Sequence, residues 1–255
     1  MKGVGGKIAG AVAALLTAAL PIEAAAAGSQ FSGWAAVVVA GDFHAHSGAP
    51  TEAFDNARHD VAQALVKAGF DPKNIQQFSV RPHNYPGENL LPSDPILIDN
   101  SLIALAKQAK DGCLVYFSSH GNTDGILVGD RLFSPDGLSK MVDEACGVRP
   151  TVVILSACYS GVFIRALSDS NRAVFTAARP DRSSFGCSES DRYPYYDDCI
   201  LQSFPKVGDF SALATTARDC VAAKEIATGA KPPSEPQISV GAGLRPMLPF
   251  YSFSK

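Results

Sequence analysis

Apolar and polar positions fall into two alternating kinds of block along the chain. Short unbroken apolar runs occupy residues 34–41 (WAAVVVAG), 112–118 (GCLVYFS), 151–157 (TVVILSA) and 173–178 (AVFTAA). Runs of that length, rich in Val, Ile and Leu, predict strands buried on both faces. Between them the period changes. In 51–68, Phe54, Val61, Leu65 and Val66 recur at helical spacing, with Asp55, Arg58 and Lys67 between them and Gly69 placed as a C-terminal cap. Residues 96–110 are helical again, and Ser134-Pro135 supplies an N-cap and first helical position for a helix reaching about Cys146. Residues 75–80 form a short strand, 81–95 a Pro- and Asn-rich loop, and 124–135 a hairpin turning at 128–130. A helix is expected over 161–169, a polar loop over 179–196, and mostly helix over 197–228 with breaks near Pro205 and Gly208. The proline-rich tail holds one edge strand at 237–240. This alternation predicts an α/β fold, a mostly parallel sheet covered on both faces, in a single domain over 28–255.

Composition changes that picture little. The chain has 255 residues, is 46% hydrophobic and 18% charged, and so can fill a sizeable core. A net charge of −3 argues against a nucleic-acid-binding surface. The N-terminus changes it more. Lys2 and Lys7 precede an apolar stretch over 8–20, broken by Pro21 and Glu23, with small residues at 24–27. That pattern is a signal peptide over 1–27, with an uncleaved anchor as the alternative. It implies an exported protein, periplasmic or secreted, with no membrane span left after cleavage.

Export bears on the six cysteines. If one stays a thiolate, the other five allow at most two disulfides and leave one thiol free. Cys113, inside an apolar run, is expected to be that inert thiol. Cys187–Cys199 is the first choice of pair and Cys146–Cys220 the second. No C-x-x-C spacing points to zinc or to thiol–disulfide exchange.

The candidate chemistry lies at two strand ends. One apolar run stops at Ser119-His120-Gly121, the other at Ala157-Cys158-Tyr159-Ser160-Gly161. In open α/β sheets functional groups gather at the carboxyl ends of strands. A strand, crossover helix and parallel strand fit between His120 and Cys158, so both can reach one sheet edge. A free thiol is little ionised at neutral pH and needs a base or cation nearby. His120 can take that proton and later return it to a leaving amine. The N–H groups of Gly121 and Cys158 are candidates for an oxyanion hole, and a helix after Cys158 would lower its pKa through its dipole. Taken singly, a cysteine after an apolar strand is most often a small buried hydrophobe, and His-Gly is common in loops. Their combination is the informative feature.

The stretches LVYFSSHGNTDGILV and VVILSACYSG, with FTAARPDRSSFGC (175–187) and the opening VVVAGD, resemble the legumain-like cysteine peptidases of the caspase–hemoglobinase clan, in the form of a bacterial-type exported member. The resemblance covers most of the chain after residue 28, in order. It implies a caspase-like three-layer α/β/α sandwich with about six strands. It also implies a cysteine endopeptidase or transamidase acting on peptide or protein substrates through a His120–Cys158 dyad and a thioester acyl-enzyme, with Gly121 in the oxyanion hole. Ser183 and Ser184 would lie beside the bound peptide, pairing with it by strand addition. Neither cofactor nor metal is implied. The chain departs from the family at the pocket. Ser156 stands where an acidic residue two places before the nucleophile helps select Asn, and Ser119 where an Asp commonly precedes the histidine. Counting back from Gly69 puts Ala53 near the place of a pocket-floor Arg, with Arg58 a few residues on. Asn56 is a candidate for orienting His120. Asn specificity therefore does not carry over.

A transamidase using the same dyad and a non-catalytic caspase-like binding module are the alternatives. His44 and His46 sit at i, i+2, but no helical Glu/Asp spacing completes a metal site. In 193–198 (YPYYDD), Asp197 or Asp198 could face a basic or amide group, although such a loop is more often packed surface. The sequence carries no signal of oligomeric state.

Overall fold

The computed structural model describes residues 1–3, 5–6 and 29–254, so the expected signal peptide lies almost wholly outside the described residues. In chain order the elements are β1 (Trp34–Ala40), α1 (Ala53–Ala68), β2 (Ile75–Ser79), β3 (Leu90–Pro92), α2 (Pro95–Gln108) and β4 (Gly112–Ser118). Then come β5 (Gly121–Asn122), β6 (Gly125–Val128), β7 (Arg131–Phe133), α3 (Pro135–Cys146) and β8 (Thr151–Ser156). The chain continues with α4 (Phe163–Leu167), β9 (Arg172–Thr176), α5 (Tyr195–Ser203), α6 (Phe210–Thr228) and β10 (Gln237–Val240). Seven strands form the central sheet in the order β10-β9-β8-β4-β1-β2-β3. Only β10 is antiparallel. β5, β6 and β7 make a small separate sheet above the end of β4.

The strand alternation accounts for the three layers. Successive side chains point to opposite faces of a sheet. Trp34, Ala36 and Val38 of β1, Leu114 and Tyr116 of β4, and Val152 and Ile154 of β8 pack on one face with α1, α5 and α6. Ala35, Val37 and Val39, Cys113, Val115 and Phe117, and Val153 and Leu155 pack on the other with α2, α3 and α4. Burying one such Val, Leu or Phe contributes about 1.5–3 kcal/mol, so these two layers hold the sheet. Strands buried on both faces read as continuous apolar runs, which is why their internal alternation was invisible in the sequence.

The helix ends follow local chemistry. Gly69 closes α1 in the left-handed conformation at φ 111°, and the Asp94, Ser134 and Asp209 side chains cap α2, α3 and α6 by accepting backbone N–H groups. No helix among the described residues is long and apolar enough to cross a membrane.

The structure corrects three expectations. A seventh strand, β3, sits inside the loop predicted over 81–95; three residues ending in Pro give no periodicity to detect. The helix expected over 161–169 is a single 3-10 turn at Ser160–Val162 followed by the five-residue α4. The disulfides are Cys113–Cys146 and Cys199–Cys220, leaving Cys158 and Cys187 free. Sheet parity explains this pairing. Cys113 points to the α3 face, where Cys146 lies, whereas Cys199 and Cys220 belong to α5 and α6 on the opposite face. Cys146 and Cys220 are separated by the sheet, and Cys113 is not the inert thiol.

Candidate active site

The two strand ends meet at the carboxyl edge of the sheet. β4 and β8 are adjacent and parallel, with Ser118 opposite Ser156. Ser119 N–H extends the ladder by donating to the Ser156 carbonyl at 3.0 Å. The chain then rises into the β5–β6 hairpin, fixed by Leu127 N–H to the His120 carbonyl (2.9 Å) and Ser119 Oγ to the Leu127 carbonyl (2.7 Å). Gly121 rests on the nucleophile strand end. A Cβ built there would stand 2.6 Å from the Cys158 carbonyl oxygen and 3.1 Å from Ala157 Cβ. Only glycine permits that approach, and the approach brings the segments carrying His120 and Cys158 together.

His120 is partly buried. Its Nε2 lies 2.9 Å from the backbone carbonyl of His44, in the loop after β1. A carbonyl can only accept, so Nε2 carries the proton and Nδ1 is left as the basic nitrogen of the neutral ring. Phe54 meets the imidazole edge-on, with centroids 5.1 Å apart. Asp42 Oδ2 is 4.0 Å from Nε2, and Asp42 Oδ1 is 2.8 Å from His44 Nδ1.

Cys158 sits between β8 and the 3-10 turn, followed by Tyr159 in the left-handed region at φ 57°. The Ser184 N–H donates to its Sγ at 3.3 Å, and the Ser184 carbonyl and Oγ lie 3.6 and 3.5 Å from the sulfur. Tyr159 N–H donates to the Arg182 carbonyl at 2.8 Å, tying the 179–193 loop alongside. A 3-10 turn and the five-residue α4 stand where a longer helix was expected to start directly after Cys158.

The remaining predicted residues divide. Ser184 is in the site, and Ser183 is exposed beside it. Ser156 is buried, 2% exposed, and its hydroxyl donates to Asp197 Oδ2 at 2.7 Å, so it faces inward and does not line an open cleft. Asn56 directs its side-chain amide to the Arg192 carbonyl at 3.1 Å; the His44 carbonyl occupies His120 Nε2 instead. Arg58 is fully buried, held by Asp55 (3.1 Å), Gln77 and Glu88 (both 2.7 Å) against the α1–β2 interface. Ala53 is likewise buried. His44 is tied to Asp42, and the described residues contain no group of three His, Cys, Asp or Glu side chains suited to a metal.

Two residues have surroundings that the sequence did not assign them. Asp197 of α5 has no exposed surface and lies under both strand ends, accepting from Ser118 Oγ (2.9 Å), Ser156 Oγ and Tyr116 Oη. Burial pushes its carboxyl up to about 7, against the opposing pull of these hydroxyls. Its parity partners Ser118 and Ser156, each two residues before a candidate catalytic side chain, were the available signal. Cys187 is pushed up to about 11, first by burial and then by its neighbours Cys158 and Asp191. Its carbonyl accepts His46 N–H at 3.1 Å, joining the 179–193 loop to the His44 loop.

Comparison with solved structures places this sheet and its helices in the caspase fold. Caspase-1 from Spodoptera frugiperda superposes with a TM-score of 0.60 over 88% of this chain and 94% of that chain, at 16% identity. Residues 36–217 match the model of the peptidase C13 family, and the chain belongs to that family. Family and fold together support a cysteine-peptidase-type function. Comparison with curated protein sequences finds no match.

Proposed function

We propose that the protein is a cysteine endopeptidase in which His120 and Cys158 act as a dyad. The observation that carries this reading is the close seat of Gly121 on Cys158, with His120 Nε2 engaged by the His44 carbonyl and Nδ1 left as the base. In the proposed cycle, His120 Nδ1 takes the Cys158 thiol proton and Sγ attacks the scissile carbonyl. The oxyanion is received by the N–H groups of Gly121 and Cys158. The same proton passes to the leaving amine, giving a thioester. Water, deprotonated by His120, then releases the acid product and the free thiol. Ser184, in contact with Sγ, and Ser183 beside it would present backbone to an extended peptide. The two disulfides fit an exported protein working in an oxidising compartment.

A thiol-directed peptide electrophile tests the assignment. Wild type should be labelled stoichiometrically at Cys158, Cys158→Ala should remain unlabelled, and His120→Ala should react at least about 100-fold more slowly. Equal labelling of Cys158→Ala would remove the proposed nucleophile.

A further inference from the structure

We propose that Asp42 is a positioning residue for His120, acting through the backbone of His44. The inference rests on the dyad reading above. Asp42 follows β1 at the carboxyl edge of the sheet and is 5% exposed. Its Oδ1 gathers three N–H groups: Phe43 N (2.6 Å), His44 N (3.3 Å) and His44 Nδ1 (2.8 Å). One oxygen therefore fixes both the backbone and the ring of His44, and the His44 carbonyl is the group 2.9 Å from His120 Nε2. The second oxygen, Oδ2, faces the same nitrogen at 4.0 Å.

An Asp accepting from the N–H two residues on is by itself an ordinary turn. Here the turn ends on a carbonyl that selects a catalytic tautomer, and both carboxylate oxygens converge on that arrangement. Other groups hold the loop further out. Thr51 N–H donates to the Phe43 carbonyl at 2.8 Å, and Ala45 N–H to the Ala49 carbonyl at 2.7 Å. The Arg81 guanidinium covers the Phe43 ring at 4.6 Å while bonding the Thr51 carbonyl and Glu52. The loop thus has supports that survive loss of Asp42, whereas the direction of the His44 carbonyl depends on Asp42.

The test compares Asp42→Ala and Asp42→Asn by steady-state cleavage of one peptide substrate, with iodoacetamide alkylation of Cys158 as a second readout. Misdirecting the imidazole should lower kcat about 100-fold in Asp42→Ala with KM within about twofold, and slow Cys158 alkylation in parallel. The Asn side chain keeps a carbonyl oxygen for the Phe43 and His44 N–H groups, so Asp42→Asn should recover kcat to within about fivefold of wild type. Wild-type kcat in Asp42→Ala would overturn the proposal. A loss in Asp42→Asn much beyond fivefold would overturn it as well, even if the Ala variant is insoluble, because it would assign the effect to charge and not to the His44 carbonyl. Failure of the underlying dyad has a separate signature, since cleavage would then persist in Cys158→Ala whatever the Asp42 variants do.

Discussion

Replacing Asp197 by Asn should flatten the acid side of the protein's stability profile. Asp197 is buried under both strand ends, and burial lifts its carboxyl from an ordinary 3.8 to about 7. Between those values the folded protein holds a proton that the unfolded chain has released. Unfolding then releases a proton, so stability falls as pH rises from about 4 to 7 and levels above the folded-state pKa. At 1.36 kcal/mol per pKa unit, the loss across the window is up to about 4 kcal/mol. Asn cannot titrate, and it keeps a carbonyl oxygen for one or more of the Tyr116, Ser118 and Ser156 hydroxyls. The assay is urea unfolding of both proteins, disulfides intact, at intervals from pH 4 to 8. Burial raises the Asp55 carboxyl too, but that contribution is common to both proteins and cancels in the difference. The stability difference should move in favour of Asp197→Asn as pH rises, by roughly 1–2 M in urea midpoint over the window. A difference that stays constant from pH 4 to 8 would refute the argument that this carboxyl is held protonated by burial.

Three further predictions concern the surroundings. Gly121→Ala would drive a methyl group to 2.6 Å from the Cys158 carbonyl; activity should fall about 100-fold, with a stability loss of about 1–3 kcal/mol measured by denaturant unfolding. Brief iodoacetamide treatment at pH 7.5 should alkylate Cys158 and spare Cys187, because a thiol raised to about 11 is ionised in roughly one molecule in 3,000; peptide mapping reads the ratio. Arg58→Met should destabilise the fold by about 3 kcal/mol, since Asp55 is left buried without its guanidinium partner, and thermal unfolding checks it.

The elements that carry the candidate site were legible because their signals are local. The buried strands announce themselves as apolar runs, and His120-Gly121 and Cys158 stand where those runs stop. Gly69, Ser134 and Pro135 mark helix ends by their own backbone preferences. What the sequence withheld depends on relations across the fold. Disulfide pairing follows from which sheet face each cysteine occupies, and continuous apolar strands conceal that parity. The group at His120 Nε2 is a backbone carbonyl, which no side-chain pattern reports, so Asn56 stood in for it. Asp197 lies at the foot of α5, inside a stretch that reads more often as packed surface than as part of a site. Only the register of Ser118 and Ser156 on neighbouring strands shows what that carboxyl binds.

The dyad is tested most directly by whether an acyl group is carried on Cys158. Wild type, His120→Ala and Cys158→Ala would be mixed with a diverse peptide library, quenched in acid at early times, and mapped by mass spectrometry, with and without an added amine nucleophile. Wild type should carry a thioester adduct on Cys158, and Cys158→Ala should lack it. Accumulation in His120→Ala should be strongly reduced, with hydrolysed peptides as the products; amine-capped products would place the protein with the transamidases while keeping the dyad. Cleavage of the library by Cys158→Ala at the wild-type rate would rule out Cys158 as the nucleophile.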